Sequence, residues 1–513
     1  HHTELSQTDG EVDGRWVFGN ANNTPRIARI DLKTFRTAEI IELPNSAGNH
    51  SSPFITQGTE YVVAGTRFSV PPDDVNGDVA INTYKQNFKG YLSFVSVGKE
   101  GNMDLAFQIE CPGVNFDLSH AGKGKSHGWF FFSCYNTEQA NTLLEVNASQ
   151  NDKDYIMAVN WKKAEEYIKA GKGKKVKAKY VHNTWDEKTH TAKSEMRTEV
   201  LVLDSKVLKD ICYMIPCPKS PHGCDVDPTG EYIIGSGKLA ALIPVFSFDK
   251  MKNAIAKKQF DGEYEGIPVI KYEAALYGEV KKPGLGPLHT EFDGKGNAYT
   301  TFFVSSEVVK WDIKTLKVLD RAPTYYSPGH LSIPGGDSKK PFGKYMVVYN
   351  KITKDRYLPT GPELAQSAQL FDISGDKMKL ILDYPTIGEP HYAQSAPADL
   401  IRNNGQLKFF KIEENNHPFV TKGEKEAKVV REGNKVHVYM TSIRSHFASD
   451  NIEGIRVGDE VYFHVTNLEQ DWDVPHGFAI KGADNAELLI MPGETCTLKW
   501  RPDKVGIFPF YCT

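Results

Sequence analysis

Several things are scarce in this chain of 513 residues, and each scarcity excludes a class. Cysteine occurs only seven times, at Cys111, Cys134, Cys212, Cys217, Cys224, Cys496 and Cys512, an odd and scattered set that is no disulfide framework. Cys212, Cys217 and Cys224 lie close enough for a soft metal site, but free cysteine usually packs as a small apolar residue, and that reading is preferred. No run of about 20 apolar residues exists, so no membrane-spanning helix is expected. Charge of one sign is also lacking: the net charge is -4, which argues against nucleic acid as the main partner. Helix signals are few. The clearest runs from Lys162 to Ala170, and the lysine-rich stretch Lys172 to Lys179 after it reads as a solvated loop. The chain opens on His1 and stops on Thr513 within what reads as a motif. Both ends are therefore expected to be trimmed, and the missing export signal carries no weight.

What the chain does contain is a repeated glycine turn followed by aromatic or β-branched residues. The segments begin at Gly14, Gly58, Gly128, Gly230, Gly296, Gly343 and Gly405. Glycine permits the positive φ of a hairpin turn, and the residues after it favour strands. A period of roughly 40–60 residues with four short strands per unit is that of a β-propeller. Seven segments predict seven blades, in an all-β fold.

Histidines stand ahead of most of these turns. His50, His222 and His289 precede Gly58, Gly230 and Gly296 at similar spacing. His330 and His391 stand further ahead of Gly343 and Gly405, and His1 and His2 ahead of Gly14. Equivalent positions on a ring of blades converge on its central channel. Seven imidazoles exceed the needs of one zinc ion and suggest a multinuclear copper cluster, with bridging ligands from outside the protein. In the third blade His120 precedes Gly128 at the spacing of His50 before Gly58, so spacing alone admits it as a ligand; Asp117 nearby offers an oxygen instead. His127, His182, His190, His417, His437, His446 and His464 are read as ordinary histidines.

After Lys411–Asn416 the composition shifts. Charged stretches at Lys422–Lys428 and Arg431–Lys435 read as a linker into a small β-domain. Strands are expected at Val436–Met440, Glu460–Asn467 and Glu494–Trp500, which suggests a β-sandwich. His476 on one loop and Cys512 at a late strand end are how cupredoxins hold copper. The expected division is residues 1–415 for the propeller, 416–430 for the linker and 431–513 for the cupredoxin-like domain.

The whole chain resembles the nitrous oxide reductase family. The resemblance rests on His1-His2 before Leu5-Ser6-x-Thr8-Asp9-Gly10, Ser220-Pro221-His222-Gly223, Gly286-Pro287-Leu288-His289-Thr290, Ser327-Pro328-Gly329-His330 and Glu389-Pro390-His391. Lys354–Pro359 and His476-Gly477-Phe478 add to it. It implies a sulfide-bridged four-copper cluster on His1, His2, His50, His222, His289, His330 and His391. It also sets His120 aside, because the family takes two histidines from the first blade and none from the third. Lys351 and Glu389 match a lysine and a glutamate at the copper edge, where a lysine holds an anionic intermediate or helps deliver protons. The implied reaction is reduction of nitrous oxide to dinitrogen and water. A calcium ion is implied at Tyr135, Glu138, Val146, Asp152 and Ser220, with serine at a position where an asparagine oxygen is expected. In the cupredoxin domain a binuclear copper centre is implied on His476 and Cys512, its other ligands falling beyond Thr513. The resemblance further implies a head-to-tail homodimer, a c-type cytochrome or cupredoxin electron donor, and a periplasmic location. The competing reading is a non-catalytic propeller binding module with a structural cupredoxin domain. A calcium-dependent propeller hydrolase would instead put carboxylates on the axis.

Overall fold

The computed structural model describes the chain except residues 1, 23, 72–83, 136–153, 353–365, 387, 402–410, 445, 471–473, 482–486 and 513. It falls into two compact units. The first takes His1–Ile27, Leu43–Ala178 and Glu199–Arg402; the second takes Ala28–Glu42, Lys179–Thr198 and Asn403–Thr513.

The first unit is built from small antiparallel sheets whose strands follow one another in sequence. One sheet runs Pro221–Val226, Tyr232–Gly237, Leu242–Ser247, Leu276–Lys281. The next runs Pro287–Phe292, Asn297–Phe302, Glu307–Asp312, Val318–Pro323. A third runs Tyr326–Ser332, Tyr345–Ile352, Gln366–Asp372, Lys379–Thr386. Ser51–Ile55, Tyr61–Gly65, Lys89–Val97 and Met103–Pro112 pair in the same meander. Asn115–Ala121 opens a larger sheet with Trp129–Tyr135, Tyr155–Asn160 and Cys212–Pro216. Each is a propeller blade. The expected strands after Gly14, Gly58, Gly128, Gly230, Gly296 and Gly343 all form. The seventh segment, Gly405–Phe410, lies outside the described residues. The expected helix is present at Trp161–Lys169, capped by the Asn160 side chain accepting from the Lys163 N–H.

Gly230 shows why the turn signal works. Its φ is +74°, and a Cβ there would stand 1.6 Å from the Lys123 carbonyl oxygen. The first turn is different: Asp9 and Gly10 carry the positive φ that closes the hairpin between Thr3–Thr8 and Glu11–Ala21. Gly14 sits inside the second strand.

The first strand of each blade is the inner one. Thr3–Thr8, Ser51–Ile55, Asn115–Ala121, Pro221–Val226, Pro287–Phe292 and Tyr326–Ser332 pack each against the next around a common centre. These strands are buried along nearly their whole length, as a strand inside a closed ring must be.

In the second unit, Lys435–Ile443 runs parallel to Glu460–Asn467, which pairs antiparallel with Thr495–Trp500. A smaller sheet holds Glu487–Ile490, His476–Ile480 and Phe510–Tyr511. Val436, Val438, Phe463, Phe478, Ile490, Leu498 and Trp500 pack together as its core. All three expected strands form, with ends shifted by a few residues. Within the charged segment before them, Lys428–Glu432 is a strand, closed onto Lys435–Ile443 through Gly433. Two segments distant in sequence also belong to this unit. Arg36–Glu42 pairs with His182–Thr184, and Thr191–Lys193 runs parallel to Thr497–Lys499. Arg36 Nη2 reaches both Glu494 oxygens at 2.6 Å.

Candidate metal centre

The inner strands bring the histidines together. His2 and His50 stand immediately before their strands, and His222, His289 and His330 lie within theirs. His391 follows the last strand of its blade. Ring centroids of His2 lie 4.7 Å from those of His50 and His391 and 4.9 Å from that of His330. The chain of contacts continues from His330 to His289 at 3.5 Å, His289 to His222 at 5.0 Å and His222 to His50 at 6.1 Å. Six imidazoles thus close a ring. His1 lies outside the described residues.

Their hydrogen bonds decide what the ring can hold. His2 Nδ1 lies 2.8 Å from the His50 carbonyl and 3.2 Å from that of Ser52, so it carries the proton. His391 Nδ1 faces Glu389 Oε1 at 3.0 Å and donates likewise. The Nε2 atoms of His2 and His391 are then lone pairs, yet they stand 3.1 Å apart, and His330 Nε2 is 3.0 Å from His2 Nε2. Lone pairs aimed at one another repel unless a cation lies between them. His289, only 3% exposed, has neither ring nitrogen hydrogen-bonded among the described residues. Burying polar atoms without partners costs roughly 1–3 kcal/mol per group. Ligand atoms of His2, His50 and His391 all fall within 4.8 Å of one another. The donor set is neutral nitrogen, which suits copper.

Protonation cannot relieve this crowding. Burial pushes His2, His50, His222, His289 and His330 well below the usual histidine value, and neighbouring positive groups push further. His391 is lowered to about 4, again chiefly by burial. The ring is therefore a set of neutral bases at neutral pH.

Partners behind the ring fix its orientation. Asp117, fully buried, sets Oδ1 3.0 Å from His50 Nδ1 and Oδ2 against His222 Nδ1, and pairs with Arg67. Its backbone carbonyl is 2.6 Å from the same His50 nitrogen. A carboxylate behind an imidazole fixes the tautomer and leaves Nε2 to the metal. At the rim, Lys351 Nζ reaches Glu389 Oε1 at 2.7 Å. Hydrogen bonds from His391 and Lys351 hold the Glu389 carboxyl down to about 2. Lys351 lies across Gly329, where a Cβ would stand 2.8 Å from its Cε.

His120 takes no place in the ring. It is buried one level below, against Phe54, with its nitrogens on Asp225 Oδ1 at 3.2 Å and Asp337 Oδ1 at 3.1 Å. Of the expected calcium positions, Glu138, Val146 and Asp152 lie outside the described residues, as does the Tyr135 side chain. Ser220 is described: its backbone N–H donates to Asp154 Oδ2 at 2.6 Å, and the other Asp154 oxygen has no hydrogen bond among the described residues. Asp154 is thus a carboxylate that sequence reasoning passed over.

In the second unit His476 and Cys512 do meet. Cys512 Sγ lies 3.6 Å from His476 Nδ1 and accepts from the Gly477 N–H at 3.2 Å. His476 Nε2 is 3.3 Å from Glu469 Oε1. The other cysteines divide between separate cores: Cys111, Cys134 and Cys212 pack in one, Cys224 in another with Cys217 against it, and Cys496 in the second unit. Burial drives the Cys134 and Cys224 thiols upward, as expected of packing residues. Elsewhere, His127 Nε2 meets Glu60 at 2.8 Å, His464 Nδ1 meets Thr497 Oγ1 at 2.8 Å, and His190 lies with Glu494 and Cys496, their ligand atoms within 4.8 Å of one another.

Residues 321–391 match the family model described as the nitrous oxide reductase propeller repeat. The nitrous-oxide reductase of Stutzerimonas stutzeri is 34% identical over 538 residues, covering 100% of this chain and 77% of that protein. The enzyme of the same name from Pseudomonas fluorescens is 32% identical over 542 residues, with 100% and 77% covered. That from Cupriavidus necator is 33% identical, with 100% and 76% covered. Among solved structures, the β-propeller domain of Myceliophteria thermophila Cps50 aligns at a TM-score of 0.41 with 7% identity, over 76% of this chain and 87% of that one, too slight a likeness to add weight. With relatives this similar along its entire length, the chain belongs to the nitrous-oxide reductase family.

Proposed function

We propose that this protein reduces nitrous oxide to dinitrogen and water, consuming two electrons and two protons, at a copper cluster held by the ring of histidines. The observation that carries the reading is the inward convergence of buried imidazoles, with neither ring nitrogen of His289 hydrogen-bonded among the described residues, in a chain of this family. His2, His50, His222, His289, His330 and His391 hold the cluster, with His1 as the seventh ligand; in the family form it has about four sulfide-bridged copper ions. When bound there, copper would supply the electrons for the reduction.

The chain supplies the rest. The inner strands fix the ligands so that substrate is positioned without reorganisation. Phe54 and the walls of the blades keep bulk water from the ring's lower face. Lys351, paired with Glu389 at the rim, holds a proton at Nζ beside the reacting oxygen, and its positive charge favours the oxyanion that develops there. Glu389 orients both Lys351 and His391.

In the same reading residues 1–415 form a seven-bladed propeller, 416–430 a linker and 431–513 a cupredoxin-like domain. His476 and Cys512 supply two ligands of a binuclear copper centre that passes electrons to the cluster of the other subunit in a head-to-tail homodimer. A c-type cytochrome or cupredoxin supplies those electrons in the periplasm. Calcium is held by Tyr135, Glu138, Val146, Asp152 and Ser220.

The experiment is copper analysis with an absorption spectrum on the purified holoprotein, followed by nitrous oxide consumption with a reduced viologen. Several coppers per chain and stoichiometric dinitrogen are expected. Fewer than one copper per chain, with no turnover, overturns the reading.

A further inference from the structure

The inner strands carry a second polar level. Along a strand, residues two apart share a face. Two positions after His2 stands Glu4, and two after His289 stands Glu291; Asp225 stands three after His222, past an irregularity in pairing at Pro221–Gly223. The loop residue Asp337 joins them. All four carboxylates are at most 8% exposed. His120 and Lys123 face them, and Lys123 Nζ donates to the Val226 carbonyl at 2.8 Å.

We infer that His120 is a positioning residue for the copper site, an imidazolium clamp that ties three ligand-bearing segments into one frame. Its charge follows from its surroundings. Nδ1 faces two acceptors, the Cys224 carbonyl at 3.0 Å and Asp225 Oδ1 at 3.2 Å, and Nε2 faces Asp337 Oδ1 at 3.1 Å as an ion pair. Nε2 makes no hydrogen bond among the described residues, but the Asp337 carboxylate 3.1 Å from it favours a proton, and so positive charge, on that side as well. Burial disfavours that charge, but the fields of Asp337 and Asp225 outweigh it, so His120 is raised where the ring histidines are lowered.

Each carboxylate it holds does a second task. Asp225 Oδ2 accepts from the Thr290 N–H at 2.8 Å, fixing the residue after His289. Asp337 Oδ2 accepts from the Tyr392 hydroxyl, beside His391, and from Gln394 Nε2 at 2.9 Å. Gln394 in turn donates to Glu4 Oε2 at 3.0 Å and accepts from the Leu5 N–H at 2.7 Å, fixing the strand that follows His2. His2, His289 and His391 are thus set from below through one side chain. Glu291 and Tyr392 are the other titratable groups at this level. The inference rests on the copper-site reading above for its purpose, though not for its geometry.

The test has two arms. In metal-free protein with nitrogen-15-labelled histidine, the signal lost in His120→Gln should show a doubly protonated ring persisting at pH 8. A neutral ring overturns the clamp, whether or not the chain takes up copper. In the second arm, Cu(I) is offered from a chelator-buffered solution. His120→Gln should lower affinity at the ring roughly 10–100-fold and change the cluster's absorption spectrum, while far-UV circular dichroism stays that of the unmodified protein. His120→Arg, which keeps the charge, should recover part of the loss. Unchanged copper affinity and spectrum in His120→Gln overturn the positioning role. If His120→Gln does not fold, Asp337→Asn decides by the same readouts. If the unmodified chain binds no copper, the functional reading fails and the first arm still decides the clamp.

Discussion

The two candidate metal positions of this chain differ in how much protein stands behind each ligand. In the histidine ring, His2, His50, His222 and His391 each present Nδ1 to a carbonyl or carboxylate, and Asp117 serves two of them. At the second position, His476 Nε2 meets Glu469 and Cys512 Sγ accepts from the Gly477 N–H. A ligand gripped from behind by a closed ring of strands is set before metal arrives.

The contrast can be broken in order of expected effect. Replacing His289 or His330 by Ala should abolish copper at the ring and lower nitrous oxide turnover by more than about 100-fold, while copper on His476 and Cys512 is retained; copper counts and spectra of the two variants decide it. Cys512→Ser should do the reverse, removing the thiolate-to-copper absorption of the second site while reduced viologen still drives the ring. Phe463→Ala should destabilise the second unit by about 3–5 kcal/mol through the cavity it leaves, with ring copper unchanged; differential scanning calorimetry with copper analysis checks both. Asp117→Asn should weaken copper binding roughly 10–100-fold and leave the fold intact.

The smallest expected effect is one of pH. In metal-free protein the ring histidines have folded-state values below the unfolded one, so the unfolded chain binds protons first as pH falls. The stability held at neutral pH is therefore lost as pH drops from about 6.5 toward 4, with His391 alone contributing on the order of 3 kcal/mol. Thermal melts of the metal-free chain should fall across that window, and bound copper should flatten the fall. A flat profile without metal would contradict the buried, neutral ring.

Much of the first unit was legible because its signals are local. A glycine turn and a β-branched run span a few residues, and each blade repeats them. The ring histidines were legible for the same reason: they recur at one phase of the repeat. What stands behind them was harder to read. Asp117 acts across the ring from His222, and Asp337 reaches His120 from a loop more than two hundred residues away. A faint signal existed in His2-Thr3-Glu4 and His289-Thr290-Glu291, a carboxylate two steps after a ligand, but period two means little until a strand is known to line a channel. The recruitment of Ala28–Glu42 and Lys179–Thr198 into the second unit left no local mark, since edge pairing is chosen by partners distant in sequence.

The meeting of His2 with His391, 389 residues apart, bears on how such a protein is made. Synthesis delivers the first ligand early and the last only after all the blades between them. Until then the strand carrying His2 lacks Gln394 to hold it, and the central channel is open on one side. Contacts of such long sequence separation form late in folding. A ring that needs both His2 and His391 is therefore complete only once the segments at either end of this long separation have met.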